Sequence, residues 1–372
     1  LGMNRRKIQK RQDTIILIHF CAGNLTLCNE AENTLFLRHD STDLQKPPVF
    51  LTRGTPCHPK RKRLEHQELF LRGKKRSHFS HGVPADNARC VHFPAGERQY
   101  RAGRIFPVFL PFLGCPGQCV YCAQDRQTGQ GNARGTASIL SAVRPGLEQL
   151  RPCGTGEERE LAFYGGTFTA LPDADRALCL DLLHDMRQSG RITHARCSTR
   201  PDALPPSVLK ELSLHGIDLV ELGIQSFDDK ALSLSRRGYT GKDAEAGCLA
   251  VTEAGLRLGI QLLPGMPGSS PDIFLADVRK ALSLSPACLR FYPCLVPEGT
   301  VLARWYREGS YRPWTVEETV RTLGAALNMA WQARVPVIRL AVAPEPAFDK
   351  ALRAGPLQPA LGGLRRAEAL LG

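Results

Sequence analysis

Three cysteines, Cys115, Cys119 and Cys122, fall within eight residues in the run Leu113-Gly114-Cys115-Pro116-Gly117-Gln118-Cys119-Val120-Tyr121-Cys122. A C-x3-C-x2-C triple is a ligand pattern, because thiolates are soft donors that bind zinc and iron–sulfur clusters. Structural zinc wants four ligands in a closed tetrahedron, usually from two Cys-x-x-Cys halves, and no second half is evident. A [4Fe–4S] cluster held by three thiolates leaves one iron without a protein ligand, which is useful only where a small molecule is to bind it. Gly114, Pro116 and Gly117 suit a loop that wraps closely round a bulky inorganic group.

Such a loop needs a scaffold, and the sequence from about residue 104 supplies a regular one. Short apolar, β-rich runs at 105–110, 161–164, 194–198, 219–224, 258–263 and 288–292 alternate with helical stretches at 173–188, 207–215, 242–254, 271–284 and 316–333. Strand then helix, repeated about six times, predicts an α/β fold with parallel strands: a partial (β/α)6 TIM-like barrel over residues 104–345. Residues that do chemistry in such folds sit at the C-terminal ends of the strands and in the loops after them.

Unusual residues fall at those ends. Tyr164-Gly165-Gly166-Thr167-Phe168 follows the second strand, and its two glycines either expose backbone to a ligand or make a plain tight turn. Ser198-Thr199-Arg200-Pro201-Asp202 follows the third; Arg200 suits a ligand carboxylate, with an ordinary salt bridge to Asp202 as the alternative. Gln225 and Ser226 end the fourth, and Leu263-Pro264 opens a glycine- and proline-rich exit after the fifth. Cys153, Cys179, Cys197, Cys248, Cys288 and Cys294 are dispersed and read as small core residues.

Composition narrows the class. The 372 residues are 42% hydrophobic and 23% charged, enough for a globular body with a core. Mean hydropathy is −0.21, and no apolar run approaches the ~18 residues of a membrane span. Thirteen scattered cysteines argue against a disulfide scaffold and for a reducing, cytoplasmic setting. The net charge of +13 is uneven: residues 1–100 hold 18 Lys and Arg against 9 Asp and Glu, and the rest 31 against 27. The basic excess therefore belongs to the first hundred residues. These carry the runs Lys60-Arg61-Lys62-Arg63 and Lys74-Lys75-Arg76 but no sustained period, and we expect a poorly ordered extension or a gene-model artefact. Cys57, His58, Cys90 and His92 fit no common zinc spacing.

Taken in order, the motifs resemble the radical S-adenosylmethionine superfamily. The cysteine triple with Tyr121 before its last member, Gly165-Gly166-Thr167, Ser198-Thr199-Arg200, Gln225-Ser226 followed by Arg237-Gly238-Tyr239-Thr240, Leu263-Pro264 and Arg290-Phe291-Tyr292-Pro293 are most similar to the Elongator catalytic-subunit-like branch. The resemblance covers roughly residues 104–345. It implies that Cys115, Cys119 and Cys122 hold a [4Fe–4S] cluster, and that Tyr121, Gly165, Gly166, Thr167, Ser198, Thr199, Arg200, Gln225, Ser226, Leu263 and Pro264 surround S-adenosyl-L-methionine. It also implies reductive cleavage to a 5′-deoxyadenosyl radical, a flavodoxin- or ferredoxin-type electron donor, tRNA as a substrate and no membrane partner. The resemblance is to a short bacterial form without the acetyltransferase domain, in which residues 346–372 are expected to form a cap or tail, so acetyl-CoA chemistry is not carried over. Two alternatives stay open: a coproporphyrinogen-oxidase-like or other small-molecule radical enzyme, and a non-catalytic, zinc-containing nucleic-acid-binding protein.

Overall fold

The computed structural model describes residues 105–125, 135–340 and 346–357, together with five strands between residues 16 and 93. The chain divides into two compact units, Leu1–Arg98 and Gln99–Gly372. In the first, β1 (Ile16–Cys21), β2 (Asn24–Asn29), β3 (Asn33–Arg38), β4 (Val49–Arg53) and β5 (Arg89–Phe93) form one sheet in the order β3-β2-β1-β4-β5. Sequence periodicity did not mark these strands. The two basic runs, Cys57 and His58 lie outside the described residues, as do the side chains of Cys90 and His92.

The second unit is built on seven parallel strands: β6 (Ile105–Phe109), β7 (Glu160–Tyr164), β8 (His194–Thr199), β9 (Leu219–Gln225), β10 (Arg257–Leu262), β11 (Cys288–Phe291) and β13 (Val337–Arg339). Their order, β13-β11-β10-β9-β8-β7-β6, makes neighbours in sequence neighbours in space, and the sheet curls into a half-barrel. Each of the six expected strands lies within one residue of its expected ends. The seventh, β13, was hidden behind Pro336, whose carbonyl accepts from the Leu289 amide. A short β12 (Val296–Pro297) pairs with β14 (Leu352–Ala354) near the C-terminus.

Crossover helices α1 (Thr136–Glu148), α2 (Asp173–Gln188), α3 (Pro206–Leu214), α5 (Gly241–Glu253), α6 (Pro271–Ser283) and α8 (Val316–Gln332) connect successive strands, with shorter α4 (Asp229–Leu234), α7 (Val301–Arg307) and α9 (Pro346–Ala351) added. Their starts are written locally. Thr240 and Asp243 close a capping box on α5, and Ser270 caps α6 ahead of Pro271. Helix α1 went unexpected because Pro145-Gly146 reads as a break. Burial of Ile139, Leu140 and Leu147 outweighs that local penalty. No described helix is long and apolar enough to cross a membrane.

The two faces of the sheet differ in kind. Outward residues such as Leu161, Phe163, Val220, Leu222, Ile260 and Phe291 join the main core against the helices. Inward residues, alternating with them, include the main buried charges among the described residues. Glu221 lies at the centre of the concave face and is 3% exposed. It accepts from Arg196 Nη1 at 2.7 Å, from Arg290 Nη2 at 3.0 Å and from the Tyr164 hydroxyl at 3.2 Å, and its other oxygen forms an ion pair with Arg290 Nε at 2.6 Å. Arg196 also pairs with Glu160, and Arg290 donates to the hydroxyls of Tyr164 and Tyr292. Two buried guanidinium groups are thus balanced by two carboxylates. We expect Glu221→Gln to lower unfolding free energy by about 3 kcal/mol, because both arginines lose their shared counter-charge; urea titration of the two proteins measures it.

Candidate functional site

The cysteine loop leaves the C-terminal end of β6 and is tied to three neighbours. On the β7 side, the Thr167 amide donates to the Leu113 carbonyl at 2.8 Å. Gln124 Oε1 accepts from the Phe112 amide at 2.6 Å and the Gly166 amide at 2.9 Å. On the other sides, Val120 N meets Ser235 O at 3.4 Å, and Leu302 N, at the start of α7, meets Val120 O at 2.8 Å. The glycines make the first of these contacts sterically feasible. Gly166 has φ +59°, and a Cβ there would run into the Leu113 carbonyl; a Cβ on Gly114, at φ +72°, would strike that of Thr167. The glycine pair therefore lets two backbones pack face to face beside the cysteines.

Within this frame Cys115 Sγ lies 3.3 Å from Thr167 Oγ1. Cys119 Sγ accepts from Arg237 Nη1 at 3.1 Å. Arg237 is buried, 6% exposed, and it is held on every side. Its Nη2 donates to the Gly223 carbonyl at 2.6 Å, and its Nε and Nη2 contact the Tyr239 hydroxyl at 2.9 and 2.8 Å. Its guanidinium also lies over the Tyr239 ring, 5.0 Å from the centroid. Sequence reading quoted Arg237 and Tyr239 within a motif but gave neither a role, and it passed over Gln124. The only sequence signal for them was their position just after the fourth strand and just after the last cysteine.

The remaining expected residues divide between the two faces. Gln225, with φ +68°, ends β9 beside Gly223 and accepts from Gln261 Nε2 at 3.3 Å. Ser198 is half-buried on β8, level with Glu221 of β9. Tyr121 and Leu263 share a small apolar cluster with Val120, Met266 and Leu302. The Pro264 carbonyl accepts from the Cys294 amide at 2.8 Å. Arg200 makes a two-pronged pair with Asp202, at 2.9 and 2.8 Å, and donates to the Arg237 carbonyl. Thr199 faces the helices, its Oγ1 2.5 Å from that of Thr169. Ser226 also faces outward, donating to Asp277 Oδ2 of α6 at 2.6 Å. These last two are bound away from the cysteines.

Burial dominates the electrostatics around the sulfurs. Burial raises the Cys115 thiol above its ordinary value. Burial, with the neighbouring Cys119 and Cys115 sulfurs, pushes Cys122 up to about 12. Bound metal would reverse both effects, since thiolates are the ligand form. Among the described residues no three Cys, His, Asp or Glu side chains converge tightly enough to grip one metal ion. A cube of four irons needs no common point, because it offers a separate iron to each thiolate. The buried Tyr121 hydroxyl has no hydrogen-bond partner among the described residues. Three thiols, one guanidinium donor and an unsatisfied phenol fit a [4Fe–4S] cluster with a polar ligand beside it.

Two outcomes follow from this geometry. Gly166→Ala should loosen the docking of the cysteine loop on β7, seen as faster amide exchange at Phe112 and Thr167, while the helices stay protected. Asp277 has its carboxyl raised from 3.8 to about 6, chiefly by burial, against the opposing Ser226 and Phe227 hydrogen bonds. Its native state favours the proton, so its stabilising contribution is full below the unfolded value and fades as pH rises through about 6. The stability of wild type relative to Asp277→Asn should therefore grow as pH falls from about 7 to about 4, as denaturant titrations at each pH would show.

Comparison with known proteins gives the same answer for the scaffold. The family model for the radical SAM superfamily matches residues 109–281, and that for the Radical_SAM C-terminal domain matches residues 286–371. The tRNA uridine(34) acetyltransferase of Dehalococcoides mccartyi is 31% identical over 234 residues, 54% of this chain and 51% of that protein. Elongator complex protein 3 of Mus musculus is 27% identical over 208 residues, 50% of this chain and 38% of the relative. The chain spans about half the length, or less, of the curated relatives it matches. The solved structure of an N-terminally truncated Elp3 from the archaeon Methanocaldococcus infernus superposes with a TM-score of 0.52 at 22% identity, over 71% of this chain and 62% of that one. The non-catalytic zinc alternative is set aside by these matches. With its cysteine loop at the open end of a parallel half-barrel, the chain belongs to the radical SAM superfamily of enzymes and is related, over that region, to the tRNA uridine(34) acetyltransferase and Elongator branch.

Proposed function

We propose that Cys115, Cys119 and Cys122 hold a [4Fe–4S] cluster whose open iron binds S-adenosylmethionine, and that the substrate is a tRNA. The observation that carries the cofactor reading is the cysteine loop itself: three thiols at the C-terminal strand ends, one of them 3.1 Å from a buried guanidinium. When bound and reduced, such a cluster would supply one electron to the sulfonium C–S bond of S-adenosylmethionine, giving methionine and a 5′-deoxyadenosyl radical able to take a hydrogen atom from substrate.

The chain's own residues bind and exclude. Arg237 stays protonated and steadies negative charge on the Cys119 sulfur. Thr167 orients Cys115 through its hydroxyl. Tyr121, Leu263 and Met266 form an apolar wall that keeps water from the reacting atoms. Ser198, Gln261 and Tyr292, each half-buried, offer neutral hydrogen-bonding groups along the concave face. The tRNA part of the reading rests on the relatives' names and on the excess of Lys and Arg in residues 1–100, which suits phosphate. A low-potential flavodoxin or ferredoxin would supply the electron.

Anaerobic reconstitution with iron and sulfide should give a brown protein with about four irons per chain that releases 5′-deoxyadenosine on reduction. Cys119→Ala should lose the iron and keep the fold. Stoichiometric zinc without cleavage would overturn the cofactor reading. Incubation with bulk tRNA and nucleoside analysis tests the substrate, and an unchanged nucleoside profile from a cleavage-competent enzyme would count against tRNA.

A further inference from the structure

Helix α6 carries a buried carboxylate whose hydrogen bonds lead towards the cysteine loop. Asp277 is 4% exposed. Its Oδ2 accepts from Ser226 Oγ at 2.6 Å and its Oδ1 from the Phe227 amide at 2.8 Å. Ser226 Oγ in turn accepts from the Asp228 amide at 3.0 Å. One side chain thus fixes three successive residues of the corner after β9. That corner follows Gln225, whose left-handed φ of +68° is an unfavourable conformation for a residue with a side chain, so it needs holding from outside.

The corner sets the next element. Asp228 caps α4, accepting from the Ala231 amide at 2.8 Å. A helix of six residues is too short to stand alone, so its direction depends on how its ends are tied. Its far end presents the Ser235 carbonyl to Val120 of the cysteine loop, and the Arg237 amide donates back to the Leu232 carbonyl at 3.0 Å. Arg237 then reaches Cys119. We infer that Asp277 is a positioning residue for the cofactor loop: it locks the 226–228 corner and so holds Arg237 against the Cys119 sulfur. The inference rests on the reading of that loop as the cluster site, and it adds a residue on a different helix to that site.

The alternative is that Asp277 only satisfies the polar groups of its own corner, and amide exchange on the cluster-free protein separates the two. In Asp277→Ala, peptides spanning residues 115–124 and 226–237 should both exchange about ten-fold faster, while β7 and α8 keep wild-type protection. Asp277→Asn keeps an acceptor for Phe227 and should fall between; should the alanine variant not fold, Asp277→Asn and Ser226→Ala must show the same paired change. Faster exchange confined to 226–230, or spread evenly through the core, overturns the inference. In the reconstituted protein, loss of the N–H···S contact should move the cluster potential to more negative values. Asp277→Ala should do this as Arg237→Gln does, with no further shift in the double variant, and a wild-type potential in Asp277→Ala also overturns it. A wild-type chain that takes up no iron would overturn the cluster reading instead, with the exchange result still deciding the role of Asp277.

Discussion

The cysteine loop has no regular secondary structure to stiffen it, and ordering such a loop costs conformational entropy. The rest of the unit is arranged round that constraint. Backbone hydrogen bonds from Thr167, Ser235 and Leu302 seize the loop from three directions. Each partner sits at the end of a strand or of a short helix, so the rigidity of the sheet is passed to the sulfurs. The glycines at 114 and 166 matter because they remove the side chains that would hold the two backbones apart.

The same sheet handles two solvents. Its outer face buries aliphatic and aromatic side chains against the helices, where most of the folding free energy arises. The inner face carries charge that has been neutralised in place, with Glu221 between Arg196 and Arg290. A pair of this kind contributes little net stability once desolvation is counted, and its attested use is to fix geometry. Here the geometry fixed is that of Tyr164 and Tyr292, two phenols held by Arg290.

Arg237 links these themes. A buried guanidinium is costly unless its donors find partners, and here the partners are a carbonyl of β9, a phenol and a cysteine sulfur. Its place is set by the corner after β9 and by α4, elements that belong to the crossover rather than to the sheet. The site is therefore assembled from the cysteine loop, the glycine turn and the β9 crossover together, with no one of them sufficient.

The sequence by itself determined the scaffold and singled out the cysteine triple. Six strands and five helices could be placed because period and capping are local properties, and the cysteine triple announced itself by spacing. Pro145 and Pro336 concealed α1 and β13, since a breaker is visible in sequence while the burial that overrides it is not. Which polar residues face the sulfurs was decided only by the tertiary structure. Thr199 and Ser226 lie in the motifs, yet they point to Thr169 and Asp277 on the helix side, whereas Arg237, 118 residues from Cys119, points inward. A motif fixes position along a strand end, but the choice of partner comes from the curl of the sheet, which brings distant loops within hydrogen-bonding reach.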